Sequence, residues 1–236
     1  MKTHRKMRAG FTLVELLVVI VIIAALAGLT APQVIKMKKK GDLAEATNNA
    51  KQLGLAFAQF DSDIGGFPDD STVESVEAMT GETATRTLKG NNSNAYFRQL
   101  IEAGVVESEQ PFFCRTSYIK SKPDDLMKGE EALKDGEVGF GYIMQSQGKA
   151  ISIGSGRPLC AAPLKENSSD GSMESEPYDN KAIVLFTDNS VRQLNIRKND
   201  SKAMLPSKKH MLEGGSDDSI WGVDINPIIM TPQPKQ

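Results

Sequence analysis

The sequence has little of several residue types on which metal sites and many enzymes depend. Its 236 residues include only two cysteines and two histidines, and aromatic residues make up 6%. Two cysteines exclude a zinc site made of cysteines alone and a scaffold held by several disulfides. The 28 Lys and Arg residues are balanced by 30 Asp and Glu residues. That balance argues against a nucleic-acid partner, because binding the phosphate backbone usually requires a basic surface.

Catalytic motifs are also missing from the sequence. His210 is the only histidine beyond the first ten residues, and it follows two lysines. No Gly-x-Ser-x-Gly motif accompanies it, as an α/β-hydrolase would require. The Gly-Ser-Gly sequence at residues 154–156 lacks the lysine of a phosphate-binding loop. We therefore expect no enzymatic activity and no catalytic residues.

The sequence does have a long apolar run near its N-terminus. Residues 1–10 carry four Lys or Arg residues and no acid, and residues 11–35 contain no Lys or Arg. Glu15 is the single acidic residue of that run. As a helix rising about 1.5 Å per residue, the run covers roughly 37 Å, which exceeds the bilayer core of about 30 Å. The run therefore predicts one membrane-spanning helix.

Three interpretations of this run compete. It fits a secretory signal peptide removed after Ala27, the end of an Ala-x-Ala sequence. It also fits an uncleaved signal anchor, or a short leader ending at Gly10 that leaves Phe11 as the first mature residue. Glu15 favours the third, because a carboxylate in hydrocarbon costs about 2–3 kcal/mol from which the other two gain nothing. In the third, the new amine lies close to Glu15, at a helix N-terminus where an acid is favoured.

The residues around this leader resemble a known family of filament subunits. Gly-Phe-Thr-Leu-Val-Glu at residues 10–15, followed by about twenty apolar residues, is similar to the class III leader of type IV pilins and type II secretion pseudopilins. The resemblance implies that a prepilin peptidase cuts between Gly10 and Phe11 and methylates the amine of Phe11. It implies that Glu15 pairs with the N-terminal amine of a neighbouring subunit. Pro32 matches a proline that many members have in their first helix.

The resemblance also implies partners and a location. The expected partners are the prepilin peptidase/methyltransferase, other pilin or pseudopilin subunits in a homo- or hetero-filament, and the bacterial inner membrane. The chain would cross that membrane once, with its globular domain outside the cytoplasm in a periplasmic or surface filament. We favour a type II secretion pseudopilin over a major or minor type IV pilin, because of the helix ending and a late hairpin. A more distant alternative is a periplasmic binding or enzymatic domain behind a conventional signal peptide.

The first helix is predicted to continue past the membrane. Pro32 predicts a kink or break near residues 28–32. The lysines that follow are expected to touch lipid headgroups or acidic faces of neighbouring subunits; they are Lys36, Lys38, Lys39 and Lys40. An apolar stripe at alternating spacings of three and four then predicts an amphipathic helix; its members are Leu43, Ala46, Ala50, Leu53, Phe57 and Phe60. Gly65, Gly66 and Pro68 should end this helix.

These features divide the chain into a leader (1–10), a membrane half of the helix (11–35), an amphipathic half (36–66) and a globular domain (67–236). The expected fold is α+β and pilin-like, with the long helix packed on an antiparallel sheet. Predicted helices lie at residues 73–79, 95–103 and 124–133, and predicted strands at 138–144, 150–153, 159–164, 183–187 and 191–196. Asp188, Asn189 and Ser190 should form the turn of a hairpin that resembles one common in pseudopilin-like proteins.

Cys114 and Cys160 would lie outside the cytoplasm, where oxidation is permitted. A disulfide between them and a pair of buried thiols both fit their apolar surroundings, and we favour the disulfide.

No cofactor is expected. Calcium is the one metal to consider, since some major pseudopilins carry a calcium site. Asp61 and Asp63 resemble the start of a calcium loop, but Thr72 stands where that loop needs a Glu. Asp217, Asp218 and Asp224 are weak calcium candidates without a selective spacing.

Overall fold

The computed structural model describes residues 11–81, 86–119, 122–152, 154 and 156–235. The chain divides into two compact units between Lys40 and Gly41. Helix α1 (Leu13–Ile64) contributes to both units. It is long and apolar enough to cross a membrane by length and composition, a test that a signal sequence near an N-terminus also passes.

Helix α1 is helical throughout, so the break predicted near residues 28–32 is wrong, while the kink at Pro32 stays a prediction. Pro32 lies inside the helix. It lacks only the one N–H group that would bond to the carbonyl of Gly28. The hydroxyl of Thr30 donates to the carbonyl of Leu26 at 3.0 Å and lies 3.4 Å from that of Ala27, which adds a local hydrogen bond one turn before the proline. A helix in apolar surroundings can therefore continue through this position.

The amphipathic stripe of α1 is buried as predicted. Ala46, Ala50, Leu53, Phe57 and Phe60 are all at most 1% exposed. Leu43 is partly buried and packs against the same core. The helix ends at Ile64, and Gly65 follows with a left-handed φ of 94°. Few side chains tolerate that conformation, which explains why the helix stops at the glycine pair.

Among the described residues, six strands form one antiparallel sheet in the order β5-β4-β3-β2-β1-β6. The strands are β1 (Gly141–Met144), β2 (Pro158–Ala162), β3 (Lys181–Phe186), β4 (Val191–Arg197), β5 (Lys202–Met204) and β6 (Ile228–Met230). Two further helices are α2 (Thr72–Thr80) and α3 (Ser93–Glu102). This is the predicted α+β arrangement of a long helix with an antiparallel sheet.

The β3–β4 hairpin has the predicted turn. Asn189 adopts a positive φ of 64°, which asparagine tolerates better than most residues. Its backbone N–H donates to the carbonyl of Phe186 at 2.9 Å, and the N–H of Phe186 donates to the carbonyl of Ser190 at 2.9 Å. The carboxylate of Asp188 accepts the N–H of Ser190 at 3.0 Å. The turn is therefore closed by backbone and side-chain bonds together.

Aromatic rings from three elements form the centre of the core. Phe57 on α1 stacks on Tyr142 of β1, with ring centroids 5.5 Å apart. Phe97 on α3 packs against both rings, at 6.1 Å and 5.7 Å. The hydroxyl of Tyr142 donates to the carbonyl of Pro68 at 2.9 Å. The stripe of α1 is thus joined to the sheet and to α3 by one aromatic cluster.

Two secondary-structure predictions in the globular part are wrong. Residues 124–133 contain only a single 3₁₀ turn (Gly129–Glu131), since Asp125, Gly129 and Leu133 have positive φ values that an α-helix does not allow. Residues 150–152 are not a strand, and residue 153 lies outside the described residues. Strands β5 and β6 were not predicted, because three residues are too few to show a period.

The predicted disulfide is also wrong. Cys114 and Cys160 are free, and both are buried. Cys160 lies on β2 opposite Tyr142. Cys114 packs against Gly139, where an added Cβ would lie 2.5 Å from its sulfur. Each thiol therefore fills its own site in the core and acts as a small apolar side chain.

Gly54 and Gly41 allow a matched test of the packing of α1. A Cβ at Gly54 would meet the side chain of Asn189 at 1.9 Å and that of Leu185 at 2.9 Å, whereas one at Gly41 would meet nothing within 4 Å. Gly54→Val should lower the free energy of unfolding by about 1–3 kcal/mol through overpacking. Gly41→Val should change it by no more than about 0.5 kcal/mol. Urea denaturation of both variants measures this, and equal stabilities would contradict the packing.

Both cysteines should resist a thiol reagent in the folded protein. Burial raises the pKa of each thiol, so neither a thiolate nor access is available for reaction. After denaturation without reductant, both should react at once. Mass spectrometry of the alkylated protein counts the modified thiols, and a protein that needs reductant before it reacts would contradict two free cysteines.

Candidate functional site

The first turn of α1 is built around Glu15. Thr12 precedes the helix, and Glu15 is its third residue. The carboxylate oxygen Oε2 of Glu15 accepts the backbone N–H and the hydroxyl of Thr12, each at 2.8 Å. In return, Thr12 Oγ1 accepts the backbone N–H of Glu15 at 3.2 Å. This reciprocal pair is a capping box, in which two side chains satisfy N–H groups that a helix start leaves free.

The capping box orients the carboxylate but leaves its charge. Thr12 donates hydrogen bonds and carries no positive charge. The residues that follow Glu15 along the helix are apolar and exposed, from Leu16 to Leu29. A carboxylate at the head of such a run needs a cation if the run enters hydrocarbon. The turn therefore presents a fixed negative charge at the N-terminal end of a membrane-length helix.

The structure places the other predicted N-terminal residues on either side of this turn. Phe11 directly precedes Thr12, and its side chain is 75% exposed. Gly10, the other half of the predicted cleavage site, lies outside the described residues. Pro32 lies further along α1, away from the first turn.

The three weak calcium candidates are not gathered into a site. Asp218 forms an ion pair with Lys209, and this hydrogen-bonded lysine lowers the pKa of that aspartate. Among the described residues, Asp217, Asp218 and Asp224 do not bring their carboxylates together. The geometry gives calcium no support at these residues.

A different acidic cluster was not predicted from the sequence. One carboxylate oxygen from each of Glu109, Asp124 and Glu137 lies within 4.8 Å of the other two. Glu109 is fully buried and Glu137 is 6% exposed. Lys134 forms an ion pair with Asp124 and lies 3.8 Å from a carboxylate oxygen of Glu137. The cluster is therefore held by a lysine and by backbone groups of the protein itself.

The electrostatics of this cluster are strongly perturbed. Burial raises the pKa of Glu137 to about 7, and the neighbouring carboxylates Glu109 and Asp124 add to the rise. Burial also raises the pKa of Glu109. The hydrogen bond from Lys134 lowers the pKa of Asp124. No sequence motif predicts this cluster, because folding brings its residues together from positions without a regular spacing.

Comparison with known proteins agrees with the geometry of the first turn. Residues 5–31 match the family described as the prokaryotic N-terminal methylation motif. That match spans Gly10, Phe11, the capping box and the apolar run up to Ala31. No solved structure matches the chain.

Three proteins similar to this chain share one name, type II secretion system core protein G. The protein of Pseudomonas aeruginosa is 31% identical over 98 residues, which cover 41% of this chain and 68% of the relative. The protein of Escherichia coli K12 is 33% identical over 92 residues, covering 39% and 62%. The protein of Vibrio cholerae is 29% identical over 100 residues, covering 42% and 66%. With its methylation motif and its long helix on an antiparallel sheet, the chain therefore belongs to the type IV pilin-like pseudopilin family of core protein G, a family of structural proteins rather than enzymes.

Proposed function

We propose that this protein is a structural subunit of the pseudopilus of a type II secretion system. The observation that carries the proposal is the first turn of α1. A capping box formed by Thr12 and Glu15 starts a membrane-length apolar helix directly after the predicted cleavage site. The names of the relatives favour a secretion system over a type IV pilus.

Processing by prepilin peptidase is the first step of the proposal. Cleavage between Gly10 and Phe11 would remove the basic leader and leave Phe11 as the N-terminal residue, which is then N-methylated. Because the capping box satisfies the N–H groups of the helix start with Thr12 and Glu15 alone, helix α1 keeps its N-terminal cap after the leader is removed.

Assembly is the second step. In the mature protein, the amine of Phe11 and the carboxylate of Glu15 are opposite charges at the same end of an apolar helix. Leaving either charge unpaired in hydrocarbon is costly. Pairing Glu15 with the amine of a neighbouring subunit neutralises both and fixes the axial register of the two helices. The capping bonds from Thr12 hold the carboxylate in place for this contact.

The membrane location follows from the same helix. Residues 11–35 would anchor the subunit in the inner membrane, with residues 41–235 outside the cytoplasm. The partners are the prepilin peptidase and other pilin-like subunits. Within the filament, the exposed apolar side chains of the helix, Leu13, Val14 and Leu16 among them, would pack against helices of neighbouring subunits.

Glu15→Gln separates charge from capping. Glutamine keeps the shape of the side chain and can still accept the hydrogen bonds of Thr12, but it has no charge to pair with an amine. The variant should be processed and reach the membrane, while its recovery in filaments sheared from cells falls at least about tenfold. Breaking one side of a buried ion pair typically costs about 3–5 kcal/mol, ample for such a loss. Immunoblots of filament and membrane fractions measure both quantities.

Thr12→Val is the matched control for that experiment. It removes the two bonds made by the Thr12 hydroxyl but keeps the bond from the backbone N–H of residue 12 and the charge of Glu15. The cost is therefore that of a weakened helix cap, about 0.5–2 kcal/mol. Assembly should stay near normal. If the Glu15→Gln variant assembles normally, or Thr12→Val is equally defective, the pairing role of Glu15 is wrong.

The mature N-terminus tests the processing step. Mass spectrometry of the N-terminal peptide from membranes should find Phe11 as the first residue, heavier by one methyl group. In a strain without the prepilin peptidase, the chain should keep its leader. A mature chain that starts at Gly28 would instead show signal-peptide cleavage after Ala27, which would end the pseudopilin proposal.

A further inference from the structure

We propose that Glu109, Asp124 and Glu137 form a proton-dependent clasp, which closes residues 124–137 against helix α3 and loosens them as the pH rises. The clasp is defined by these three carboxylates, and residues 124–137 are called the clasped segment. The inference concerns the globular unit alone and does not rest on filament assembly.

Glu109 ties two distant points of the clasped segment together. Its Oε2 accepts the backbone N–H of Asp125 at 2.9 Å, and its Oε1 accepts that of Leu133 at 2.6 Å. The N–H of Glu109 in turn donates to the carboxylate of Asp125 at 2.8 Å. One fully buried carboxylate therefore fixes both the beginning and the end of the segment.

Helix α3 holds the same segment from the other side. The Nε of Arg98 donates to the carbonyl of Ala132 at 2.8 Å, and the amide of Asn94 donates to that of Leu133 at 2.8 Å. Apart from the turn at Gly129–Glu131, the segment has no regular secondary structure. Besides the burial of Ala132 and Leu133 and one backbone bond from Gly136, its position depends on side-chain bonds to its backbone, which makes it a candidate for opening before the sheet does.

When all three carboxylates of the clasp are ionised, the positive charges nearby do not neutralise them. Lys134 is the cation of the segment that reaches them, and it binds Asp124. Arg98 is turned toward backbone carbonyls and Glu130. The charged groups around the clasp are Arg98 from α3 and, from the segment, Asp125, Glu130, Glu131, Lys134 and Asp135. The chain of Lys235 passes close to Gly136.

Buried carboxylates within 4.8 Å of one another disfavour each other's ionisation. With Asp124 paired to Lys134 and both oxygens of Glu109 accepting backbone N–H groups, the proton resides on Glu137. Burial and the neighbouring carboxylates raise the pKa of Glu137 from an ordinary 4.5 to about 7. Because the folded protein holds this proton more tightly than the unfolded chain, the clasp contributes its full stability below about pH 4.5. That contribution is lost as the pH rises through about 7.

Loosening of the segment would alter a large surface groove. The groove has a volume of about 1060 Å³, and the clasped segment forms part of its wall together with Arg98, Tyr118 and Lys235. Proton loss places a negative charge on Glu137, which lines that wall, next to the buried carboxylate of Glu109 behind it. The shape of the groove would then change with pH while the sheet stays intact.

Glu137→Gln tests the clasp, because glutamine is a neutral isostere of the protonated acid. Urea unfolding of the full-length protein in detergent micelles at pH 5 and pH 8 gives a folding equilibrium constant for each protein. Between these pH values, the constant of the wild type should fall at least about tenfold relative to that of Glu137→Gln, since one unit of pKa shift corresponds to a factor of ten. His210, whose pKa burial lowers to about 4, shifts stability the opposite way in both proteins and cancels in this comparison.

Glu131→Gln is the matched control. Glu131 also lies near Lys134, at 3.5 Å, but its side chain is 65% exposed. This variant should keep the pH dependence of the wild type. If Glu137→Gln shows the same pH dependence as the wild type, or Glu131→Gln loses it, the clasp is refuted.

Hydrogen exchange of the wild type provides a test that needs no variant to fold. From pH 5 to pH 8, peptides from residues 124–137 should lose protection at least about tenfold more than peptides from the β3–β4 hairpin, which serve as an internal reference for the chemical exchange rate. Equal changes in both regions would overturn the proposal. So would recovery of protection at pH 8 on adding millimolar calcium, because a cation rather than a proton would then close the cluster.

Discussion

One continuous helix has to satisfy two environments, and the rest of the structure depends on how it does so. The first part of α1 exposes apolar side chains all round, whereas its later part buries a single stripe of five residues that are almost fully enclosed. A helix that is apolar on every side needs lipid or other helices around it, and one with a single stripe needs a core. The change of pattern within α1 is therefore what makes one chain both an anchor and a folded domain.

Glu15 is the single charged residue in the apolar part of α1. The structure shows that the carboxylate is not an isolated charge but part of a capping box with Thr12. A cap alone does not explain a charged residue here, because glutamine could serve in its place. Glu15 therefore does two things: it caps the helix start, and it carries a charge. Only the second requires an acid.

The parts of the fold that could be predicted are those set by local patterns. The stripe of α1, its stop at Gly65 and the Asn189 turn each depend on neighbours within a few residues. The mistaken helix at residues 124–133 shows the limit, since its helical composition is overridden by bonds from Glu109 and Arg98. The acidic cluster was missed for the same reason: its members meet only after α3 and the segment are in place. The thiols of Cys114 and Cys160 likewise depend on packing that no spacing reveals.

The contrast between the sheet and the clasped segment explains where this domain can change shape. Strands β3 and β4 are joined by backbone bonds and cover a core of apolar side chains, and neither contribution depends on protonation. The clasped segment is instead held in place by buried acids, which are costly to ionise together. Replacing them with apolar residues would remove the hydrogen bonds that position its backbone, because only an acceptor can hold the N–H groups of Asp125 and Leu133. A pH-sensitive segment is therefore a consequence of fixing an irregular backbone with closely spaced carboxylates.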